Sequence, residues 1–168
     1  MGDLLKKASK PAVCVDGKVS VEETVRTMVE RRIGAVVVTE KGRVVGIFSE
    51  RDLMQRVVLK KLDPAKTPVA KVMTAPVFSA PVDGDEDEAA QAMVERHIRH
   101  VPIVDKRRHP VGMLSFRDVM RGRVDDLKHE VQALEAYLGY DGVSGCEWNG
   151  GTEPHYTEEP RDNERQSL

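Results

Sequence analysis

The sequence predicts a mixed α/β (α+β) fold made of two copies of one β-α-β-β-α unit. Three observations carry this: an internal repeat, a helix-start signal ahead of a helical apolar pattern in each copy, and two β-branched runs joined by a tight turn in each copy. The repeat is direct, with Met28-Val29-Glu30-Arg31 recurring as Met93-Val94-Glu95-Arg96, 65 residues later. At that shift Ile33 falls on Ile98, Val36 on Val101, Val38 on Ile103, Pro11 on Pro76 and Ser9 on Thr74. One residue inserted near His109 makes the shift 66, and Gly46, Ser49, Arg51 and Asp52 then fall on Gly112, Ser115, Arg117 and Asp118. The copies span residues 3–58 and 68–123, with a linker at 59–67 around Asp63-Pro64-Ala65-Lys66-Thr67-Pro68.

Each copy opens with a short apolar strand, Val13-Cys14-Val15 and then Val77-Phe78. A capping box follows, Ser20-Val21-Glu22-Glu23 and Asp85-Glu86-Asp87-Glu88, offering an N-cap acceptor and a carboxylate three residues on. Apolar residues then recur at helical spacing: Val21, Val25, Met28 and Val29 in the first copy, Ala89, Ala90, Met93 and Val94 in the second. A hairpin comes next, Ala35–Val38 and Val44–Phe48 across Lys41-Gly42, matched by His100–Val104 and Val111–Leu114. Its strands are nearly all apolar, so each sheet is expected to be covered on both faces. A second helix begins at Ser49 or Ser115; in the first copy it should carry Leu53, Met54 and Val57 inward. Met28, Met54, Met93 and Met120 read as core residues, and Cys14 as a small buried hydrophobe.

After the second copy, Val124, Leu127, Val131, Leu134 and Leu138 follow 3,4,3,4 spacing, giving a C-terminal amphipathic helix over 124–138. So short a seam is marginal alone and should rest on the body or on a second copy of the chain. Residues 139–168 read as a mostly disordered, acidic tail.

Bulk composition excludes several classes. The 168 residues are 40% hydrophobic and 32% charged, with a net charge of −2, so no global basic field argues for nucleic acid or an anionic membrane. Cys14 and Cys146 form no CxxC and no disulfide framework, which suits a reducing compartment and makes the cytoplasm the expected location. Neither a signal-peptide apolar run nor a membrane span is present in the sequence. Cys146 and His155 lack further partners for a metal site. The acidic run Asp83–Glu88 reads as a charged helix start, and Lys106-Arg107-Arg108-His109 as a solvated turn that could alternatively meet ligand phosphates or nucleic acid.

The duplicated order of elements, with Val45-Gly46-Ile47-Phe48-Ser49-Glu50-Arg51-Asp52 and Val111-Gly112-Met113-Leu114-Ser115-Phe116-Arg117-Asp118, closely resembles the CBS domain pair. Lys71-Val72-Met73-Thr74-Ala75-Pro76 and Ile98-Arg99-His100-Val101-Pro102-Ile103-Val104-Asp105 share the resemblance, which covers three quarters of the chain. It implies a pseudo-twofold pair with two clefts between the sheets, and pairing of two copies into a homodimer. The ligands it implies are AMP, ADP or ATP, with S-adenosylmethionine, NAD or diadenosine polyphosphates as further possibilities; no cofactor is required.

The Gly-x-x-Ser-x-Arg-Asp run has its own logic. Gly46 and Gly112 permit close approach at the end of a strand. Ser49 and Ser115 stand at helix starts, where free N–H groups favour phosphate, and Arg51 and Arg117 can add charge-assisted bonds. Asp52 and Asp118 can accept from ribose hydroxyls, the role the family gives this Asp. By resemblance the first adenine slot uses Lys10, Pro11, Ala12, Val36 and Val37, with Ser49, Arg51 and Asp52. The second uses Thr74, Ala75, Pro76, Val77, Arg99, His100, Val101 and Pro102, with Ser115, Arg117 and Asp118. Val37 departs from the family's Pro, present at Pro102. The plainer reading is that each Ser is an N-cap and each Asp a dipole partner.

The functional expectation is therefore a stand-alone regulatory module that binds an adenosine-containing ligand and reports to a separate protein, and not an enzyme. No Ser–His–acid set, metal quartet or phosphate-binding Gly-rich loop can be placed. The competing expectation is a dimerisation scaffold with silent sites.

Overall fold

The computed structural model describes Leu4, Ala8 and residues 11–137. Two units divide the chain: Met1–His129, which holds both repeats, and Glu130–Leu168, whose described residues 130–137 are helical. Lys10, Leu138, Cys146, His155 and the tail expected at 139–168 lie outside the described residues.

In the first repeat β1 (Cys14–Asp16) pairs parallel to β2 (Ala35–Glu40), which pairs antiparallel to β3 (Arg43–Ser49). Between β1 and β2 runs α1 (Val21–Arg31); after β3 comes α2 (Glu50–Asp52), which continues as a π-helical stretch over Leu53–Val58. The second repeat repeats the order with β4 (Ala80–Pro81), α3 (Glu86–Glu95), β5 (His100–Val104), β6 (Pro110–Ser115) and α4 (Phe116–Tyr137). Equivalent residues pair in both sheets, Val37 with Ile47 and Pro102 with Met113, and both carry a bulge at one place, Val38/Thr39 and Ile103/Val104.

Local chemistry explains the boundaries. Ser20 caps α1 by accepting from the Glu23 amide at 3.2 Å, and Arg32 ends it in a left-handed conformation, φ 52°, with its amide on the Met28 and Val29 carbonyls. Asp85 caps α3 through the Asp87 amide rather than the expected Glu88 position. The first strand of the second repeat forms at Ala80–Pro81, not at Val77-Phe78, because Ala80 is the residue that pairs with Ile103 as Val15 pairs with Val38. Val77 packs instead between the sheets, and Phe78 against the second core.

Val36, Val37, Val38 and Phe48 are fully buried, as expected for sheets covered on both faces. The two cores exchange parts. Val69 and Val72, which lead into the second repeat, are buried in the core of the first with Val21, Met28 and Phe48. Leu4 and Ala8, which lead into the first, pack in the core of the second with Met93, Ile103 and Leu114. Between the sheets Val37, Val44 and Val104 join Ala12, Val77 and Met113. Truncating a fully buried Phe48 should cost about 3–5 kcal/mol.

Several sequence expectations are corrected. Met28 and Met93 are core residues, but Met54 is 58% and Met120 45% exposed. Val29 and Val94 are 71% and 63% exposed, so α1 and α3 each carry an apolar residue outward at the same repeat position. Cys14 is exposed, not buried; partial desolvation still holds its thiol above the usual value. The expected C-terminal helix is present and continues the last helix of the second repeat: α4 runs from Phe116 to Tyr137, with Val124, Leu127, Val131 and Leu134 exposed.

Candidate functional site

Two corners of the same design define the region of interest. At the start of α2 the Ser49 amide and hydroxyl donate to Asp52 Oδ2 at 2.9 and 2.6 Å, and the Asp52 amide donates back to Ser49 Oγ at 3.4 Å. At the start of α4 the Ser115 amide and hydroxyl donate to Asp118 Oδ2 at 2.9 and 2.5 Å, and the Asp118 amide returns to Ser115 Oγ at 3.3 Å. This is the reciprocal capping box, and it sits at Ser49 and Ser115. Both carboxylates are largely buried, 6% and 8% exposed, so the cap fixes each against the helix start.

Their surroundings differ. Thr74 donates its hydroxyl to Asp52 Oδ1 at 2.8 Å, and Arg56 Nε lies 3.4 Å from the same oxygen. Thr74 also pairs through its backbone with Ile47 of β3. The Arg56 guanidinium binds the Met73 and Val72 carbonyls. Gly46 is required here, because a β-carbon on it would lie 2.9 Å from the Thr74 carbonyl oxygen. The chain that approaches Gly46 is thus the lead-in of the other repeat. Arg51 is held as well, donating to the His97 carbonyl at 2.8 Å at the end of α3.

Asp118, by contrast, lines a cleft of about 970 Å³. Ser115, Phe116 and Arg117 line it from the second repeat, with Arg99 and His100 at the entry to β5 and Arg121 one turn along α4. The first repeat supplies an apolar side, with Pro11, Val13, Val25, Met28, Ile33 and Ala35, and two charged residues, Arg32 and Glu50. Four arginines and a histidine therefore share the lining with two carboxylates, a net positive set beside the apolar side chains. Burial, and next the Arg99 charge, hold the His100 imidazole below its ordinary value, against the pull of Glu50 and Asp118, and so favour the neutral ring.

The two residue sets grouped by repeat order are therefore divided differently in space. Among the described residues of the first set only Pro11 reaches the cleft, sharing its lining with Arg99, His100, Ser115, Arg117 and Asp118 of the second set. Thr74, of the second set, is bonded to Asp52 of the first. Val36, Val37, Val101 and Pro102 are buried within the sheets, Ala12 and Val77 fill the layer between them, and none of these lines the cleft. Ala75 and Pro76 follow Thr74 and do not line it either. The sorting follows from the exchange of lead-ins, which carries each first-strand entry to the helix corner of the other repeat. Arg32, Glu50, Phe116 and Arg121 escaped the sequence reading because they converge only in three dimensions. Among the described residues no cluster of His, Cys, Asp and Glu could hold a metal ion.

The CBS domain family model matches residues 1–59 and 69–125. The chain belongs to the CBS domain family and has the fold of a CBS domain pair. It is 30% identical to the mitochondrial CBS domain-containing protein CBSX3 of Arabidopsis thaliana over 71% of this chain and 60% of that one. An uncharacterized protein of Methanopyrus kandleri is 36% identical over 56% of this chain and 48% of its own length. The chain thus spans about half to three fifths of these two relatives. A signal-transduction protein with CBS domains from Burkholderia ambifaria, described as putative, superposes with a TM-score of 0.67 at 29% identity, covering 75% of this chain and 94% of that one. A CBS domain pair crystallised with 5′-methylthioadenosine and S-adenosyl-L-methionine superposes with a TM-score of 0.63 at 25% identity, covering 70% and 96%.

Proposed function

We propose that this chain is a regulatory module, not an enzyme, that binds AMP, ADP or ATP in the cleft at Asp118 and signals its occupancy to a separate protein. The observation that carries the reading is the Ser115–Asp118 corner set into a cleft lined by apolar side chains and four arginines. An adenine fits the apolar side, and a ribose hydroxyl can donate to a carboxylate fixed by its own cap. Phosphate is favoured by the N-terminus of α4, a helix of 22 residues, and by the Arg32, Arg99, Arg117 and Arg121 guanidinium groups. These cations favour phosphorylated ligands over S-adenosylmethionine, whose sulfonium is a cation. A solved CBS pair with adenosyl compounds bound supports the adenosine part. Titration calorimetry with AMP, ADP, ATP, S-adenosylmethionine and NAD tests it; heat with none of the five would remove the reading.

Homodimer formation belongs to the same proposal. Val29 and Val94, and likewise Met54 and Met120, are exposed apolar residues at matched positions of the two repeats, which a second copy could cover. This surface also favours the second reading, a dimerisation scaffold, which predicts that nucleotide-blind variants keep every biological readout. Sedimentation of Met54→Glu and Met120→Glu variants separates monomer from dimer. A cytoplasmic location is part of the proposal, resting on the two widely spaced cysteines; among the described residues no helix is long and apolar enough to cross a membrane.

A further inference from the structure

At the other end of the strands from the cleft, two turns that lie far apart in the sequence come together. The Val44 amide donates to the Arg108 carbonyl at 3.0 Å, and the His109 ring lies 3.8 Å from where a β-carbon on Gly42 would be. Lys41 and Arg43 of the first turn thereby stand beside Lys106, Arg107 and Arg108 of the second. All five are exposed, and none makes an ion pair among the described residues, whereas Arg26, Lys66 and Arg123 all find carboxylates. Glu40, exposed at the base of the first turn, is the adjacent carboxylate. Asp105 is consumed by its own turn, accepting from the Arg107 and His109 amides at 2.8 and 2.7 Å and facing the His109 ring at 3.1 Å.

The turns are fixed before any partner arrives. The Asp105 amide donates to the His109 carbonyl and the Arg108 amide to the Asp105 carbonyl, at 3.0 and 2.9 Å. Lys41 and Arg108 hold φ values of 51° and 66°, left-handed positions that Gly or Asn would occupy more readily. Basic side chains therefore stand where the backbone disfavours them. From Ala35 and His100 at the cleft to these turns the strands run five or six residues, on the order of 15–20 Å, so the surface is separate from the cleft.

We propose that these paired turns dock a short acidic segment of a partner protein. Three of the five cations are arginines, whose planar forks match carboxylates in two-point contacts. Neither turn carries a Phe, Tyr or Trp on which a nucleic-acid base could stack, its one ring, His109, being engaged with Asp105, nor an exposed apolar side chain that could enter a bilayer. A chain of net charge −2 gives an extended polyanion no long basic track, while a short acidic peptide needs none. The docking does not depend on the cleft holding a nucleotide.

The test uses the full chain and fluorescence anisotropy with a labelled Glu-rich peptide, a duplex RNA and phosphatidylserine vesicles. The expected result is peptide binding that weakens with salt and falls at least roughly tenfold in Arg107→Glu/Arg108→Glu and in Lys41→Glu/Arg43→Glu. Both variants should keep the thermal transition of the parent protein, as exposed positions permit. Peptide binding unaltered by either charge reversal, or tighter binding to the RNA or the vesicles than to the peptide, overturns the proposal. Nucleotide titrations of the same variants report on the cleft separately.

Discussion

The helix-start corners at Ser49–Asp52 and Ser115–Asp118 share one sequence pattern and one capping geometry, yet they face different surroundings. Asp52 lies under the lead-in of the second repeat, with Thr74 and Arg56 on its carboxylate and Arg51 committed to a backbone carbonyl. Asp118 lies on the wall of the large cleft. The comparison teaches that a Ser-x-x-Asp cap is first a structural device, and that what stands opposite decides whether a ligand can use it. Two identical motifs thus give one corner that secures the fold and one that we propose meets a nucleotide.

The largest expected effect is on affinity. Asp118→Ala should weaken adenine-nucleotide binding roughly 10- to 100-fold, the value of a charge-assisted hydrogen bond of about 1.5–3 kcal/mol. Asp52→Ala should leave affinity within roughly threefold while costing about 2 kcal/mol of stability, because it strands the Thr74 hydroxyl and uncaps α2. Calorimetry and urea denaturation on the pair separate the two corners, and equal losses of affinity would make the two corners equivalent in binding.

Gly46→Ala comes next. Its β-carbon would lie 2.9 Å from the Thr74 carbonyl and would clash with Met73 Sδ, so the lead-in must shift, at about 1–3 kcal/mol in denaturation. Arg117→Ala should lower affinity roughly three- to tenfold, whereas Arg51→Ala should act on stability alone by loosening the end of α3.

The smallest effect is a pH dependence at His100. Its folded value is depressed by burial and by Arg99, so the unfolded chain binds that proton more readily. The stability it contributes is fully present above the ordinary histidine value, about 6.5, and is lost as pH falls through the lower folded value. A phosphate bound beside His100 would draw the proton back, so nucleotide affinity should rise modestly on acidification below neutrality. Calorimetry in buffers of different ionisation enthalpy should detect fractional proton uptake, and His100→Asn should abolish it.

Much of the fold was legible in the sequence because its signals are local. Hairpin runs, the Lys41-Gly42 turn and the helical spacing of Val21 and Met28 need only a few neighbouring residues to declare themselves. What a helix shows outward is not local: Val29 and Met54 fit an apolar pattern, and only the packed body reveals that they point away from it. The candidate site was legible in its members and not in its grouping. Ser115 and Asp118 announce a capped corner by spacing alone, but nothing in the spacing says that Pro11 stands opposite them, or that Thr74 closes over Asp52. Arg32 left one local trace, the left-handed end of α1, which marks a helix stop and carries no hint of a cleft.

The traded lead-ins have a consequence for how such a chain can be divided. Leu4 completes one half and Val69 the other, so a cut in the connecting loop should release no independent half but two fragments that need each other to fold. The loop keeps the two complementary pieces at high local concentration, and it also closes the start of α1, where the Thr67 and Pro64 carbonyls accept the Val21 and Glu22 amides at 2.9 and 3.1 Å, so a cut there would loosen that helix end as well.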